Sequence, residues 1–252
     1  MTSPTLLLIA HGSRDPRHAA TVQALTQQVR RARPDLPVAV GYLDHCAPRI
    51  PQVVARLAAE GPGARAVAVP LLLGNAFHAK SDIPGALAEA GARHPSLTLH
   101  RAEVLGPSPL LLAALERRLA EAGVRPSPTT GVVLAAAGSS DPAANAATRA
   151  LAAEWAALRG WAGVEVAHAS AAPPRVPDAV AALRARGAHH IAVAPYLLAP
   201  GLLPDRIVSA ARACAADAVA APLGAAPEIA RLLLHRYTEA LTTETQALPL
   251  GA

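Results

Sequence analysis

Aromatic residues make up only 2% of the 252-residue chain: one phenylalanine, two tryptophans and three tyrosines. Its core must therefore be aliphatic, drawn from the Leu, Val, Ile and Ala that dominate a hydrophobic fraction of 52%. The same scarcity removes the stacking platforms with which proteins hold single-stranded nucleic acid. Lysine occurs once, at Lys80, and the many arginines are scattered without a basic block. A net charge of +5 in that pattern suits a small polyanion and argues against DNA or RNA. Cys46 and Cys214 stand far apart with no CxxC pair, so reduced thiols are expected and not a disulfide or zinc framework. No apolar run reaches the roughly 18 residues of a membrane span, and the first residues lack the basic start of a secretory leader. A soluble, cytoplasmic protein is expected.

What the chain has in quantity is self-similarity. "LLLIAHGSRDP" (6–16) returns as "VVLAAAGSSDP" (132–142), and Gly12 maps onto Gly138 at a step of 126 residues. "APRIPQVV" (47–54) meets "PPRVPDAV" (173–180) at the same step, and "VAVPLLLG" (67–74) meets "VAPYLLAP" (193–200). Three ordered matches mark a duplicated domain, since the period is far longer than that of a solenoid. The Pro-, Ser-, Thr- and Gly-rich stretch 123–131 is the link, which gives domains 1–125 and 130–252.

Within each copy, short aliphatic runs alternate with longer amphipathic stretches. "TLLLIA", "PVAVGYL", "ARAVAVPLLL" and "LTLHRAEV" read as buried strands, with helices over about 15–33, 48–60, 82–93 and 108–122. Asp15-Pro16 reads as a helix start. Strands apolar throughout, alternating with helices, predict a parallel sheet covered on both faces. The fold class is thus α/β, with two tandem doubly wound domains of four parallel strands each.

Open parallel sheets bind ligands at the carboxyl ends of their strands, where strand order reverses. For an order of 2-1-3-4, His11 after strand one and His78 after strand three would meet at that point, with Asp44 and His45 on the same rim. Two imidazoles can bind a borderline divalent metal or take protons near neutrality. Insertion of a divalent metal into a tetrapyrrole needs both, because two N–H protons leave as the metal arrives. His18, His94, His100, His189, His190 and His235 read as surface or structural. "GPGARA" precedes a strand and so is no dinucleotide loop, and "HGS" is no nucleophile elbow. Ser13 reads as shaping the turn or capping the next helix.

"LLLIAHGSRDP", "YLDHCAPRIPQVV" and "VPLLLGNAFHAKSDIP" together resemble the sirohydrochlorin chelatases, the CbiX/SirB group of class II chelatases. The whole chain resembles the longer members, in which two such domains face each other across a cleft. The resemblance implies insertion of Co2+ or Fe2+ into sirohydrochlorin, with His11 and His78 as the catalytic pair. It implies His11, His78 and Asp44 as metal-binding residues, Asp44 standing where relatives commonly carry Glu. It also implies that Arg14, Ser13 and Lys80 bind the anionic macrocycle, with Arg17 and Arg206 nearby. Ala76 replaces a common Gly, and Asn75 and Phe77 also depart from the usual wording. No permanently bound cofactor, no nucleic-acid or membrane partner, and a monomer are expected. A nickel chelatase acting on a related tetrapyrrole, or a non-catalytic tetrapyrrole or metal carrier, are the alternatives.

The second copy lacks these groups. Ala137 stands for His11, Ser170 for Asp44, and "LLAPGLLPDRI" (197–207) for the loop of His78. It is expected to act as scaffold, with Tyr196, Leu202 and Leu203 as candidate walls.

Overall fold

The computed structural model describes residues 3–74 and 82–247. The first repeat runs β1 (Thr5–Ala10), α1 (Pro16–Ala32), β2 (Val38–Tyr42), α2 (Ile50–Ala58), β3 (Arg65–Pro70), α3 (Ile83–Ala92), β4 (Thr98–Arg101) and α4 (Pro109–Glu121). The second runs β5 (Thr130–Ala136), α5 (Pro142–Leu158), β6 (Gly163–His168), α6 (Val176–Ala185), β7 (His190–Tyr196), α7 (Leu202–Ala213), β8 (Ala218–Val219) and α8 (Pro227–Ala247). Each repeat builds one four-stranded parallel sheet, ordered β2-β1-β3-β4 and β6-β5-β7-β8. The expected order of 2-1-3-4, with strands one and three as neighbours, is present in both.

The sequence pattern explains the layers. Every residue of β1 is buried, as is every residue of β5, so neither strand needs the polar alternation of a half-exposed sheet. Leu7 and Ile9 turn to a core with Ile50, Val53, Val54 and Leu57 of α2 and Ile83 and Leu87 of α3. The second sheet repeats this with Val133 and Val193 against Val176, Val180 and Leu183 of α6 and Ile207 of α7. Each such aliphatic side chain contributes about 1.5–3 kcal/mol on burial, which is how a chain almost without aromatics is held. Proline opens α1, α4 and α5 directly after the caps Asp15, Ser108 and Asp141, whose side chains accept from Arg17 N, Leu110 N and Ala143 N.

Packing partitions the chain differently from the repeat. One compact unit is Met1–Gly106 with Ile229–Ala252, and the other is Pro107–Glu228. Helix α8, last in the second repeat, thus belongs with the first sheet. Its Tyr237 hydroxyl donates to Pro4 O at 2.6 Å, and its Arg236 Nε donates to Val104 O at 2.8 Å. Helix α4, last in the first repeat, belongs with the second sheet. Its Arg118 donates to Leu223 O at 2.8 Å, its Arg117 pairs with Glu228 at 2.7 Å, and its Glu116 accepts from Trp155 Nε1 at 3.1 Å. The limits 1–125 and 130–252 describe the duplication, whereas the compact units exchange its terminal helices.

Candidate active site

β1 ends at Ala10, so His11 is the first residue past the carboxyl end of the central strand. The turn that follows is fastened to the end of β2. Leu43 N donates to Ala10 O at 2.9 Å and Asp44 N to His11 O at 2.8 Å. Gly12 has φ +89°, and a Cβ placed there would lie 1.7 Å from Asp44 O. Only glycine fits so close an approach. Ser13 Oγ then accepts from Asp15 N at 3.1 Å, and Ser13 O accepts from Cys46 Sγ at 3.3 Å. Ser13 therefore shapes the turn, while the cap of α1 is Asp15.

The His11 ring has Nδ1 3.1 Å from Gly12 O. A carbonyl only accepts, so this contact holds the ring proton on Nδ1. Nε2 is left as the nitrogen with the lone pair, the form in which imidazole binds metal or takes a proton.

Asp44 is half-exposed and already engaged. Its Oδ1 accepts from Arg49 Nη1 at 2.6 Å and from His45 N at 2.8 Å, and its Oδ2 lies 3.4 Å from His45 Nε2. The His45 amide first, and the Arg49 guanidinium second, hold its carboxyl below the usual range. A metal at Asp44 competes with those donors. Arg14 is exposed beside the turn, whereas Arg17 is paired with Asp15 at 2.6 Å. His78 and Lys80, with Asn75, Ala76 and Phe77, lie outside the described residues. Among the described residues no three His, Cys, Asp or Glu side chains converge as a metal cage.

His18 reads from the sequence as surface or structural. It sits in the first turn of α1, half-buried, with Nδ1 shut off from water and without a hydrogen-bond partner. One repeat further on the residue is Ala144, just as His11 becomes Ala137 and His45 becomes Ala171.

The second unit keeps the frame without these groups. Ser170 N donates to Ala137 O at 2.9 Å, Asp141 N donates to Ser139 Oγ at 3.0 Å, and Gly138 has φ +83°. His45 and Ala171, at equivalent places, both have positive φ. Where Cys46 ties down the Ser13 turn, Asn145 ties down that of Ser139, through contacts of 3.0 and 2.7 Å. Tyr196 is buried, which pushes its phenol up and makes it core, whereas Leu202 is 66% exposed. Arg206 is exposed on α7.

The CbiX family model matches residues 5–122 and again 131–240. The sirohydrochlorin ferrochelatase of Priestia megaterium is 28% identical over 203 residues, covering 80% of this chain and 76% of that protein. The sirohydrochlorin cobaltochelatase of the same organism is 27% identical over 210 residues, covering 81% and 67%. SirB from Bacillus subtilis with Fe3+ superposes with a TM-score of 0.82 over 97% of this chain and 98% of its own, at 24% identity, a likeness of fold.

Proposed function

The chain belongs to the CbiX family, and from that premise we propose that it inserts a divalent metal, Co2+ or Fe2+, into sirohydrochlorin. The observation that carries this reading is the His11 turn: an imidazole at the carboxyl end of the central strand, with Nδ1 on Gly12 O and Nε2 carrying the lone pair. The family repeat and relatives named for both metals support it.

The reaction balances as one divalent ion entering while two pyrrole protons leave. A neutral imidazole at Nε2 can receive one such proton, or hold the ion until the macrocycle displaces it. We assign these tasks to His11 and His78 as a pair, leaving open which takes which. Asp44 belongs to the site as a third metal-facing group, held in place by Arg49 and His45 N. Arg14, Lys80 and Ser13 are assigned to the substrate carboxylates, Arg14 foremost because it is exposed beside the turn. The second unit has no imidazole at positions 137, 144 or 171, so the chemistry resides in the first.

No helix among the described residues is long and apolar enough to cross a membrane. A cytoplasmic, monomeric protein completes the proposal, and size-exclusion chromatography tests the oligomeric part.

The decisive assay is anaerobic. Purified protein is mixed with sirohydrochlorin and, separately, Fe2+, Co2+ and Ni2+, and the absorbance change is compared with the uncatalysed rate. Acceleration with Fe2+ or Co2+ is expected. Acceleration with Ni2+ alone would favour a nickel enzyme, and binding without acceleration by any metal would make the protein a carrier.

A further inference from the structure

Three successive carbonyls define the His11 turn, and each is held. His11 O accepts from Asp44 N at 2.8 Å, Gly12 O lies 3.1 Å from His11 Nδ1, and Ser13 O accepts from Cys46 Sγ at 3.3 Å. Two of the three partners come from one loop, residues 44–46 after β2, which is itself tightened by a bond from Cys46 N to Asp44 O at 2.7 Å. Gly12 O lies between the other two carbonyls along the chain. With His11 O and Ser13 O both fastened to the same loop, planar peptides leave Gly12 O little freedom. That oxygen is the acceptor that keeps the His11 proton on Nδ1.

The second repeat supplies a comparison within the same chain. Ser139 O, 126 residues after Ser13 O, is also held by a side chain, but from a different element. It accepts from Asn145 Nδ2 at 2.7 Å, and Asn145 Oδ1 accepts from Ser139 N at 3.0 Å. The register sets Asn145 of α5 against Ala19 of α1, and Ala172 against Cys46. Each repeat therefore has one fastening side chain and one alanine, at exchanged positions. The two loops are otherwise alike, since Ala172 N donates to Ser170 O at 2.7 Å as Cys46 N does to Asp44 O. Two unrelated side chains reaching the same carbonyl mark that carbonyl as the group that needs a partner.

We propose that Cys46 is a positioning residue: its thiol orients the turn of residues 11–13 so that His11 keeps its proton on Nδ1 and presents Nε2 to the ion or to a pyrrole proton. The purpose rests on the chelatase reading, whereas the effect on the His11 ring does not. An S–H···O bond is weak, so the thiol contributes orientation and little stability. Orientation is what transfer of a metal or proton needs, since about 1 Å of misplacement can cost on the order of a hundredfold in rate. The role asks for a donor that reaches Ser13 O, from position 46 or from position 19, and not for sulfur chemistry.

The test uses the whole protein in four variants beside wild type: Cys46→Ala, Cys46→Ser, Cys46→Ala with Ala19→Asn, and Cys214→Ala, which removes the other thiol, in the second unit. The first readout needs neither metal nor tetrapyrrole. Ring-15N spectra of histidine-labelled protein are recorded in solution alkaline enough to keep imidazole neutral. In wild type the two His11 nitrogens should stand well apart, with the proton on Nδ1. In Cys46→Ala they should move toward each other as the tautomers mix, and Cys46→Ser and the Ala19→Asn double variant should restore the separation. Cys214→Ala should leave it as in wild type. The second readout is insertion of Co2+ into sirohydrochlorin, where Cys46→Ala is expected to lower kcat about tenfold, the scale on which partners of metal ligands act, with KM for sirohydrochlorin and melting temperature unchanged. The two rescuing variants should recover kcat. Wild-type His11 shifts in Cys46→Ala, or a loss that neither the serine nor the asparagine restores, would overturn the proposal. If wild type itself inserts no metal while the ring shifts behave as expected, the chelatase reading fails and the positioning of His11 by Cys46 stands.

Discussion

The amide of Asp44 donates to the carbonyl of His11 at 2.8 Å, and the amide of Ser170 donates to the carbonyl of Ala137 at 2.9 Å. The main-chain relationship survives while both side chains change, so the turn is fixed by the backbone and not by its chemistry. Glycine makes it possible. A Cβ on Gly12 would meet Asp44 O at 1.7 Å, and one on Gly138 would meet Ser170 O at 2.2 Å, both at positive φ. Gly12→Ala and Gly138→Ala are each expected to cost about 3 kcal/mol in urea unfolding. Gly160→Ala, with ordinary φ and nothing within 4 Å, should be near neutral.

His11 and His168 should behave as opposites. His11 lies in a half-buried turn, with Nδ1 3.1 Å from the carbonyl of its neighbour Gly12. His168 is 1% exposed, with Nδ1 3.0 Å from Pro173 O. His11→Ala is expected to abolish metal insertion with little change in melting temperature. His168→Ala leaves a cavity and an unpaired carbonyl, costing about 2–4 kcal/mol, yet insertion per folded molecule should persist. Equal loss of activity in both variants would mean that the chemistry is not confined to the first repeat.

Asp44 gives the acid limb of stability. Its folded pKa is depressed, chiefly by the His45 amide and then by Arg49. The sign follows from linkage: the unfolded chain binds the proton more readily, so stability is present above about pH 4 and is lost as pH falls through the folded pKa. Because the pair is half-exposed and screened, the effect is small. Asp44→Asn should barely alter unfolding at pH 7 and should flatten the decline below pH 4. Urea titrations at both pH values check this, and added salt should narrow the gap between variant and wild type.

Much of this was legible in the sequence because the deciding forces are local or periodic. The all-apolar runs of β1 and β5 announce doubly covered strands, and Asp15-Pro16 and Asp141-Pro142 announce helix starts. The 126-residue register pairs His11 with Ala137 in the sequence itself. Two things were not legible. His18 sits in an amphipathic helix, where an imidazole on the boundary looks like any surface residue until the burial of Nδ1 is known. The exchange of α4 and α8 leaves no mark either, because an apolar stripe shows that a helix is covered and not which sheet covers it.

That exchange yields the sharpest test of the architecture. Ile229, Leu232, Leu233 and Tyr237 of α8 are buried, and residues 229 onward belong to the unit that contains His11. At about 1.5–3 kcal/mol each, those four side chains approach the whole stability of a domain. Trp155 and Trp161, in edge-to-face contact with centroids 6.1 Å apart, both lie in the other unit and are the chain's two tryptophans. A chain ending at Glu228 retains the Arg117–Glu228 pair of that second unit. It should therefore keep a native tryptophan emission and a cooperative fluorescence transition, while losing part of its circular dichroism and all insertion activity. If packing followed the repeats, the same truncation would strike the tryptophan-bearing unit and spare His11. Fluorescence and circular dichroism melts of one truncated protein separate the two outcomes.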